Sequence, residues 1–155
     1  MTRRVLFVCM GNICRSPAGE AVLKRFVERN DPGIPIEVDS AGTHGYHVGD
    51  RADPRMIAAA KARGYDVTSR ARKVTADDLD GRFDLVLAAD RDNLAILHRL
   101  APGDTDHIRL VGDFLPADTP HPDEVPDPYY GGDEGFETVL DMLEAACPRI
   151  FGRLS

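Results

Sequence analysis

An uninterrupted apolar segment close to the start of the chain constrains the fold more than any other feature. Residues 5–9 contain no charged side chain, as is typical of a strand that other elements cover on both faces. A short loop follows, and Ser16 and Pro17 then suit the N-cap and the first position of a helix. A buried strand that leads directly into a helix indicates an α/β fold with parallel strands.

The rest of the chain alternates between strand-like and helix-like segments. Strands are predicted at residues 34–40, 83–89 and 108–111. Helices are predicted at residues 17–30, 53–64, 91–100 and 135–150, with a short helical turn at 75–80 that Thr75 caps. We therefore predict a single three-layer α/β domain over residues 1–155, with a four-stranded parallel sheet and helices on both faces.

Composition excludes several classes of protein. The chain has 155 residues, of which 43% are hydrophobic, enough for one domain with a real core. A formal charge of −7 argues against a nucleic-acid surface. No apolar run approaches the roughly 20 residues of a membrane span or resembles a signal peptide. Three cysteines, an odd number, favour reduced thiols, so we expect a cytoplasmic protein and take a monomer as the default.

Chemistry is expected at one edge of the sheet. Ligands of parallel α/β sheets bind beyond the carboxyl ends of the strands. Cys9 and Ser40 end the first two predicted strands, and Asp90 follows the third. Residues 112–132 form an unusually long loop rich in Pro, Asp and Gly, which favours a functional role for that loop.

The loop from Cys9 to Arg15, called here the cysteine loop, has the layout of an anion site that contains a nucleophile. Its Cys-to-Arg interval alone is weak evidence, because Cys147 and Arg153 repeat it at the end of the last helix, where we expect Cys147 to face the core. The first pair differs in context. A loop between a strand and a helix N-terminus directs backbone N–H groups and the helix dipole at one anion.

Each side chain of the cysteine loop has an expected task. The local positive potential favours the thiolate of Cys9, and Arg15 offers a planar fork to two phosphate oxygens. Ser16 has two compatible roles, as helix cap and as a hydrogen-bond partner of the Cys9 sulfur. Gly11 and Asn12 provide backbone conformations that other residues resist.

Four segments of the sequence carry a resemblance to a known family. They are Val-Cys-Met-Gly-Asn-Ile-Cys-Arg-Ser-Pro at 8–17, Asp-Ser-Ala-Gly-Thr at 39–43, Ala-Arg at 71–72 and Asp-Pro-Tyr-Tyr at 127–130. In this order and spacing the chain resembles the low-molecular-weight protein tyrosine phosphatases over its whole length. The resemblance implies that Cys9 forms a phosphocysteine, and that Asp127 protonates the leaving phenolate and then activates water. It implies no metal and no cofactor.

The resemblance also assigns supporting residues. Met10, Gly11, Ile13 and Cys14 complete the phosphate-binding loop, which Asn12 and Ser40 brace by hydrogen bonds. Many relatives carry a histidine two residues before the Ala-Arg pair, where this chain has Ser69, so this network is expected to be shorter or water-filled. The family's aromatic cleft walls correspond to Tyr46, Tyr129 and Tyr130. Relatives that act on phosphoarginine carry threonine at the position of Ile13, so Ile13 favours phosphotyrosine.

Several residues have two interpretations from sequence. Cys14 is either a buried loop thiol or a partner that traps oxidised Cys9 as a reversible disulfide. Asp90 could compete with Asp127 as the acid, although capping the next helix is the favoured role. The acids Asp123 and Glu124 are expected to be solvated. The histidines His44 and His47 lie on the cleft loop and could touch substrate, whereas His98, His107 and His121 are expected at the surface.

Two other functions fit the same loop. An arsenate reductase of this fold would need additional thiols, whereas Cys147 is alone in its segment. An inactive phosphotyrosine-binding module would not need a complete set of catalytic groups. The favoured partner is a tyrosine-phosphorylated protein, with a bacterial tyrosine kinase as one candidate.

Overall fold

The sheet has four parallel strands. A computed structural model describes residues 1–118 and 124–155. The strands are β1 (Arg3–Cys9), β2 (Ile36–Gly42), β3 (Leu85–Ala88) and β4 (Ile108–Leu110), in the spatial order β2-β1-β3-β4. All three neighbouring pairs are parallel. The predicted sheet and its α/β class are confirmed.

Helices cover both faces of this sheet. They are α1 (Arg15–Asn30), α2 (Pro54–Ala62), α3 (Arg91–Leu100) and α4 (Asp133–Leu154), with 3₁₀ turns at Asp77–Leu79 and Val111–Phe114. Alternate side chains of β1 divide the core: Val5 and Phe7 pack with residues of α1, α2 and α4. On the other face, Leu6 and Val8 pack with residues of α3 and the first 3₁₀ turn. Two helical layers therefore enclose the sheet, which gives a three-layer fold, as the apolar run of β1 predicts.

The register of the strands brings their carboxyl ends to one edge. Cys9 at the end of β1 lies opposite Gly42 at the end of β2. Val8, one residue earlier, lies opposite Ala88 at the end of β3. The loops that follow these three strands therefore meet at the same edge, as expected from the sequence.

Some predicted boundaries of helices and strands are wrong. Helix α1 begins at Arg15, and its N-cap position is occupied by Cys14 with no side-chain cap bond. Ser16 is therefore inside the helix, and its hydroxyl is directed towards other partners. Strand β2 continues past Ser40 to Gly42, and α4 is longer than predicted at both ends. The extension of α4 passes Pro148 because Ile150 and Leu154 continue its buried face.

Within residues 1–118 and 124–155, no helix is both long and apolar enough to cross a bilayer.

Candidate active site

Backbone hydrogen bonds shape the cysteine loop between β1 and α1. The carbonyl of Cys9 accepts from Thr43 N at 2.9 Å, and that of Met10 accepts from His44 N at 3.0 Å. The carbonyl of Ile13 accepts from Asp53 N at 2.8 Å. The segments after β2 and before α2 thus hold the carbonyls outward, which leaves the loop's N–H groups available for an anion.

Asn12 and Gly11 permit this path in different ways. Asn12 lies in the left-handed region with φ 58°, as its residue type predicts. Gly11 does not have a positive φ, which corrects the expectation from sequence. Its role is steric, because a Cβ at this position would lie 3.0 Å from Cδ2 of His47. Gly11 is thus small because His47 packs against the loop.

The Cys9 sulfur lies in a buried set of hydrogen bonds. Ser16 contacts Sγ twice, through its hydroxyl at 3.0 Å and its backbone N–H at 3.4 Å. Nδ2 of Asn12 donates to the Ser16 hydroxyl at 2.7 Å. Because that bond occupies a lone pair of the hydroxyl oxygen, the Ser16 proton is available to the sulfur, with the carbonyl of Ala41 at 3.3 Å as its other acceptor. Ser16 can therefore donate to the Cys9 sulfur from both its hydroxyl and its backbone.

The hydrogen bonds of Asn12 and Ser40 differ from those expected from the sequence. Oδ1 of Asn12 accepts from the backbone N–H of Arg72 at 2.9 Å. The hydroxyl of Ser40 instead donates to Oε1 of Glu20 on α1, at 2.6 Å. Ser40 therefore joins β2 to α1 and does not brace the loop through its hydroxyl. The main-chain N–H of Arg72 supplies the bond that braces Asn12.

Arg15 is fixed by acceptors on three sides. Its Nη1 donates to Oδ2 of Asp90 at 2.6 Å and to the carbonyl of Val125 at 3.0 Å. Its Nη2 lies 3.7 Å from Oδ2 of Asp127. Burial opposes the charge of Arg15, but Cys9, Asp90 and Asp127 outweigh burial and raise its pKa. A buried, permanently charged fork beside Cys9 is suited to hold a dianion.

Asp90 serves two structures at once. Its Oδ1 accepts from Asn93 N at 2.8 Å and caps α3, as predicted. Its Oδ2 pairs with Arg15, a role that the sequence does not indicate. Because both oxygens already have partners, Asp90 is poorly placed to donate a proton to a substrate.

Asp127 lies in the segment 124–132, called here the Asp127 loop. Its side chain is about 36% exposed, and its Oδ1 accepts from Tyr129 N at 3.0 Å. Of the competing acids, Glu124 is exposed and accepts from Arg91 N at 2.9 Å, so it is bound at the start of α3. Asp123 and His121 lie outside the described residues.

A cavity of about 210 Å³ brings the predicted residues together. Its base contains Cys9, Arg15 and other members of the cysteine loop, and Asp127 borders it. Aromatic side chains form the rest of the wall: Tyr46, His47, Tyr129 and Tyr130. His44 stacks on Tyr46 with ring centroids 5.2 Å apart. The arrangement is a narrow slot with an anion site at the bottom and rings around it.

The other two thiols are buried. Cys14 shares the cavity with Cys9, and burial, followed by the charge of Asp53, raises its pKa. Cys147 is 1% exposed in the core, as predicted, and burial followed by Glu144 raises its pKa to about 12. All three cysteines are free.

Sequence reasoning missed the ionic contacts around the site. The sequence predicts that Asp53 starts a helix, and its side chain does cap α2 by accepting from Arg55 N at 2.8 Å. The sequence gives no signal that Arg55 reaches the Asp127 loop or that Arg15 pairs with Asp90, because both are contacts between distant segments. Over the described parts of the chain, no group of three His, Cys, Asp or Glu side chains is arranged to hold a metal ion.

Comparison with known proteins gives one consistent family. The model of the low molecular weight phosphotyrosine protein phosphatases matches residues 4–155. A low molecular weight protein-tyrosine-phosphatase of Streptomyces coelicolor is 48% identical over 148 residues, which cover 94% of this chain and 90% of that protein.

Solved structures agree with the sequence match. A protein tyrosine phosphatase from Entamoeba histolytica superposes with a TM-score of 0.92 at 43% identity, covering 98% of this chain and 96% of that one. A Drosophila arginine phosphatase superposes with a TM-score of 0.85 at 33% identity, covering 96% of each chain. On this evidence, the chain belongs to the low-molecular-weight protein tyrosine phosphatase family and is an enzyme of that kind.

Proposed function

We propose that this enzyme hydrolyses phosphotyrosine in proteins through a phosphocysteine on Cys9, with Arg15 as phosphate clamp and Asp127 as general acid and base. The observation that carries the proposal is the cavity in which these three side chains meet. Its base supplies a sulfur, a buried guanidinium and backbone N–H groups, and its wall supplies a carboxyl group. Phosphoryl transfer needs these groups and little else from the protein.

In the first step, the Cys9 thiolate attacks phosphorus opposite the tyrosine oxygen. The S–P bond forms as the P–O bond breaks, and Asp127 gives its proton to the departing phenolate. Arg15 binds two of the phosphoryl oxygens, and the loop N–H groups bind the charge that develops on them. Asp127 is supported as the acid because it borders the cavity, whereas Asp90 has both oxygens engaged.

In the second step, water replaces sulfur on phosphorus. Asp127, now a carboxylate, accepts a proton from the attacking water, and the S–P bond breaks to give phosphate and the Cys9 thiolate. The Ser16 hydroxyl, 3.0 Å from Sγ, hydrogen-bonds the departing thiolate. Asn12 orients that hydroxyl from the other side.

The aromatic wall supports phosphotyrosine as the substrate class. A flat phenol ring fits between Tyr46, His47 and Tyr129. The phosphotyrosine side chain is long enough for its phosphate to reach the base of the slot. A phosphoserine is too short to reach Cys9 from the rim. Ile13 adds an apolar surface inside the cavity, which disfavours the polar guanidine of phosphoarginine even though a relative is an arginine phosphatase.

Two other functions have weaker support. Arsenate reduction would pass a disulfide outward through further thiols, but Cys147 lines a different cavity with Phe26 and Tyr65. A passive phosphotyrosine-binding module would not explain why a hydroxyl, a backbone N–H and an arginine surround the sulfur.

A phosphopeptide panel tests the proposal. We expect rapid phosphate release from a phosphotyrosine peptide, and little from phosphoserine and phosphoarginine peptides of the same sequence. Cys9→Ser should abolish release yet still bind vanadate, because the loop N–H groups and Arg15 remain. Preference for phosphoarginine would overturn the substrate class, and turnover by Cys9→Ser would overturn the nucleophile.

Suitable partners are tyrosine-phosphorylated proteins, with a tyrosine kinase as one candidate.

We also propose that Cys14 protects Cys9 from irreversible oxidation. Peroxide converts the Cys9 thiolate to a sulfenic acid; the sulfur of Cys14 then displaces water and forms a disulfide that reductants reopen. Both sulfurs line one cavity, which supports the pairing. Cys14→Ser should retain activity but fail to recover with reductant after peroxide. Equal recovery in both proteins would contradict this role.

A further inference from the structure

Arg55, the second residue of α2, contacts two parts of the site that are distant in sequence. Its Nη2 donates to Oδ2 of Asp53 at 2.7 Å, and its Nε donates to Oδ1 of the same carboxylate at 3.1 Å. The same Nη2 also donates to the backbone carbonyl of Tyr129 at 3.1 Å. One guanidinium therefore joins the start of α2 to the Asp127 loop.

Aromatic contacts hold the guanidinium in this position. Its Cζ lies 5.6 Å from the ring centroid of Tyr129 and 4.8 Å from that of Phe136 in α4. Both distances are within the range of cation–π attraction. The hydrogen bonds to Asp53 raise the pKa of Arg55 and, from the other side, lower that of Asp53. Both shifts favour the ionised form of the pair.

Asp53 continues the connection to the nucleophile. Its side chain is 6% exposed, and its backbone N–H donates to the carbonyl of Ile13 in the cysteine loop at 2.8 Å. A continuous set of contacts therefore runs from the cysteine loop through Asp53 and Arg55 to Tyr129. The proposed acid is two residues before Tyr129 and is bound to it, since Tyr129 N donates to Asp127 Oδ1.

The Asp127 loop is held on both sides of its acid. Before Asp127, the buried Val125 donates to the carbonyl of Ala89 at 2.8 Å and accepts from Arg15 at 3.0 Å. After Asp127, Arg55 holds Tyr129. The carboxyl group at the centre is itself partly exposed, so its placement depends on these two fixed points.

We propose that Arg55 is a positioning residue for the reaction, which holds Tyr129 and thereby sets the Asp127 carboxyl group at the distance from Cys9 that proton transfer requires. The inference rests on the proposed role of Asp127. Lysine cannot replace arginine here, because a single ammonium group cannot make both hydrogen bonds to the Asp53 carboxylate together with the hydrogen bond to the Tyr129 carbonyl.

The test uses kcat/KM across a series of aryl phosphates. Misplacing a general acid matters most when the leaving phenolate is strongly basic. We expect Arg55→Met and Arg55→Lys to lose about tenfold or more in kcat/KM for phenyl phosphate, but less than about twofold for p-nitrophenyl phosphate. Arg51→Met, an exposed arginine four residues earlier, should match the wild type throughout.

A double variant separates positioning from a structural role. If Arg55 acts through Asp127, adding Arg55→Met to Asp127→Asn should cost less than about twofold for phenyl phosphate. The proposal would be overturned if Arg55→Met lowered kcat/KM by the same factor for all leaving groups. It would also be overturned if Arg55→Met lowered kcat/KM as much in the Asp127→Asn background as it does in the wild type. Thermal unfolding of Arg55→Lys confirms that folded protein is compared.

The two proposals fail in different ways. If Asp127→Asn itself lowers kcat/KM by the same factor for all leaving groups, the acid assignment fails and the Arg55 inference fails with it. If Asp127→Asn shows the leaving-group dependence and Arg55→Met does not, only the Arg55 inference is overturned.

Discussion

At the scale of single residues, the site depends on what surrounds one sulfur atom. Cys9 and Arg15 are recognisable in the sequence because their chemistry is local to one loop. The contact of the Ser16 hydroxyl with the Cys9 sulfur is one of the two roles expected from sequence. The position of Ser16 inside the helix is not expected, since N-cap preference places it before the first turn. In the fold the hydroxyl is directed to Cys9 because Asn12 donates to it from the left-handed region of the loop.

Removal of the Ser16 hydroxyl should slow the breakdown of the phosphocysteine. In Ser16→Ala the departing sulfur loses its O–H contact at 3.0 Å, and loss of one such donor costs roughly 100-fold in comparable sites. With p-nitrophenyl phosphate, stopped-flow kinetics should then show a burst of nitrophenol followed by slow turnover. An unchanged kcat without a burst would contradict this role, and Ser155→Ala, an exposed C-terminal serine, serves as control.

The three thiols should differ sharply in reactivity. At pH 7.5 a pKa of about 12 leaves fewer than about one Cys147 in 10,000 as thiolate, and the pKa of Cys14 is also strongly raised. Brief treatment of the native protein with iodoacetamide should therefore add one label, at Cys9. Intact-mass spectrometry reads the number of labels, and Cys9→Ser should take none; rapid labelling of Cys14 in that variant would contradict the account.

At the scale of elements, the segment between α2 and β3 adds a contact that braces Asn12 in the cysteine loop. Arg72 donates its N–H to Asn12, and its guanidinium pairs with Asp78 at 2.9 Å. Asp78 also accepts from Thr75 N at 2.8 Å. Sequence predicts the helical turn near Asp78 but not this network, because hydrogen bonds between loops leave no periodic pattern.

Asp78 should contribute to stability in a pH-dependent way. Burial opposes its charge, but the bonds from Arg72 and Thr75 outweigh burial and lower its pKa. A folded-state pKa below the unfolded value means that the stabilisation is complete above pH about 4 and is lost as the pH falls through the folded-state pKa.

Asp78→Asn should accordingly lower the free energy of unfolding by about 1–3 kcal/mol at pH 7. The difference from the wild type should narrow at pH 3. Urea unfolding at the two pH values measures it, with the exposed Asp77→Asn as control. A deficit of the same size at both pH values would show that shape, rather than charge, explains the effect.

At the scale of the whole molecule, the parallel sheet explains why segments distant in sequence form one cavity. The order β2-β1-β3-β4 places the loops after β1 and β2 side by side. The Asp127 loop reaches the same edge because Val125 N donates to Ala89 O beyond the end of β3. The strand-helix alternation predicts the sheet and its edge, since both follow from local hydrophobic patterns.

Long-range pairing limits what sequence can predict. The boundaries of α1 and α4 depend on the cysteine loop and on core packing, so propensity alone misplaces them. Ser40 illustrates the same limit: its position near the loop suggests a brace, whereas Glu20 on α1 captures its hydroxyl. Arg55 has no motif at all, and only the folded arrangement shows that it reaches Tyr129.

The central claim is that the phosphoryl group passes through the sulfur of Cys9. Quenching the Asp127→Ala variant with denaturant within milliseconds of mixing with p-nitrophenyl phosphate should trap this intermediate. Its formation needs little protonation of the leaving group, whereas its hydrolysis lacks a base. Tandem mass spectrometry should then find one phosphoryl group on Cys9, decaying as phosphate appears. A phosphoryl group on another residue, or phosphate release at full rate from Cys9→Ser, would contradict the mechanism.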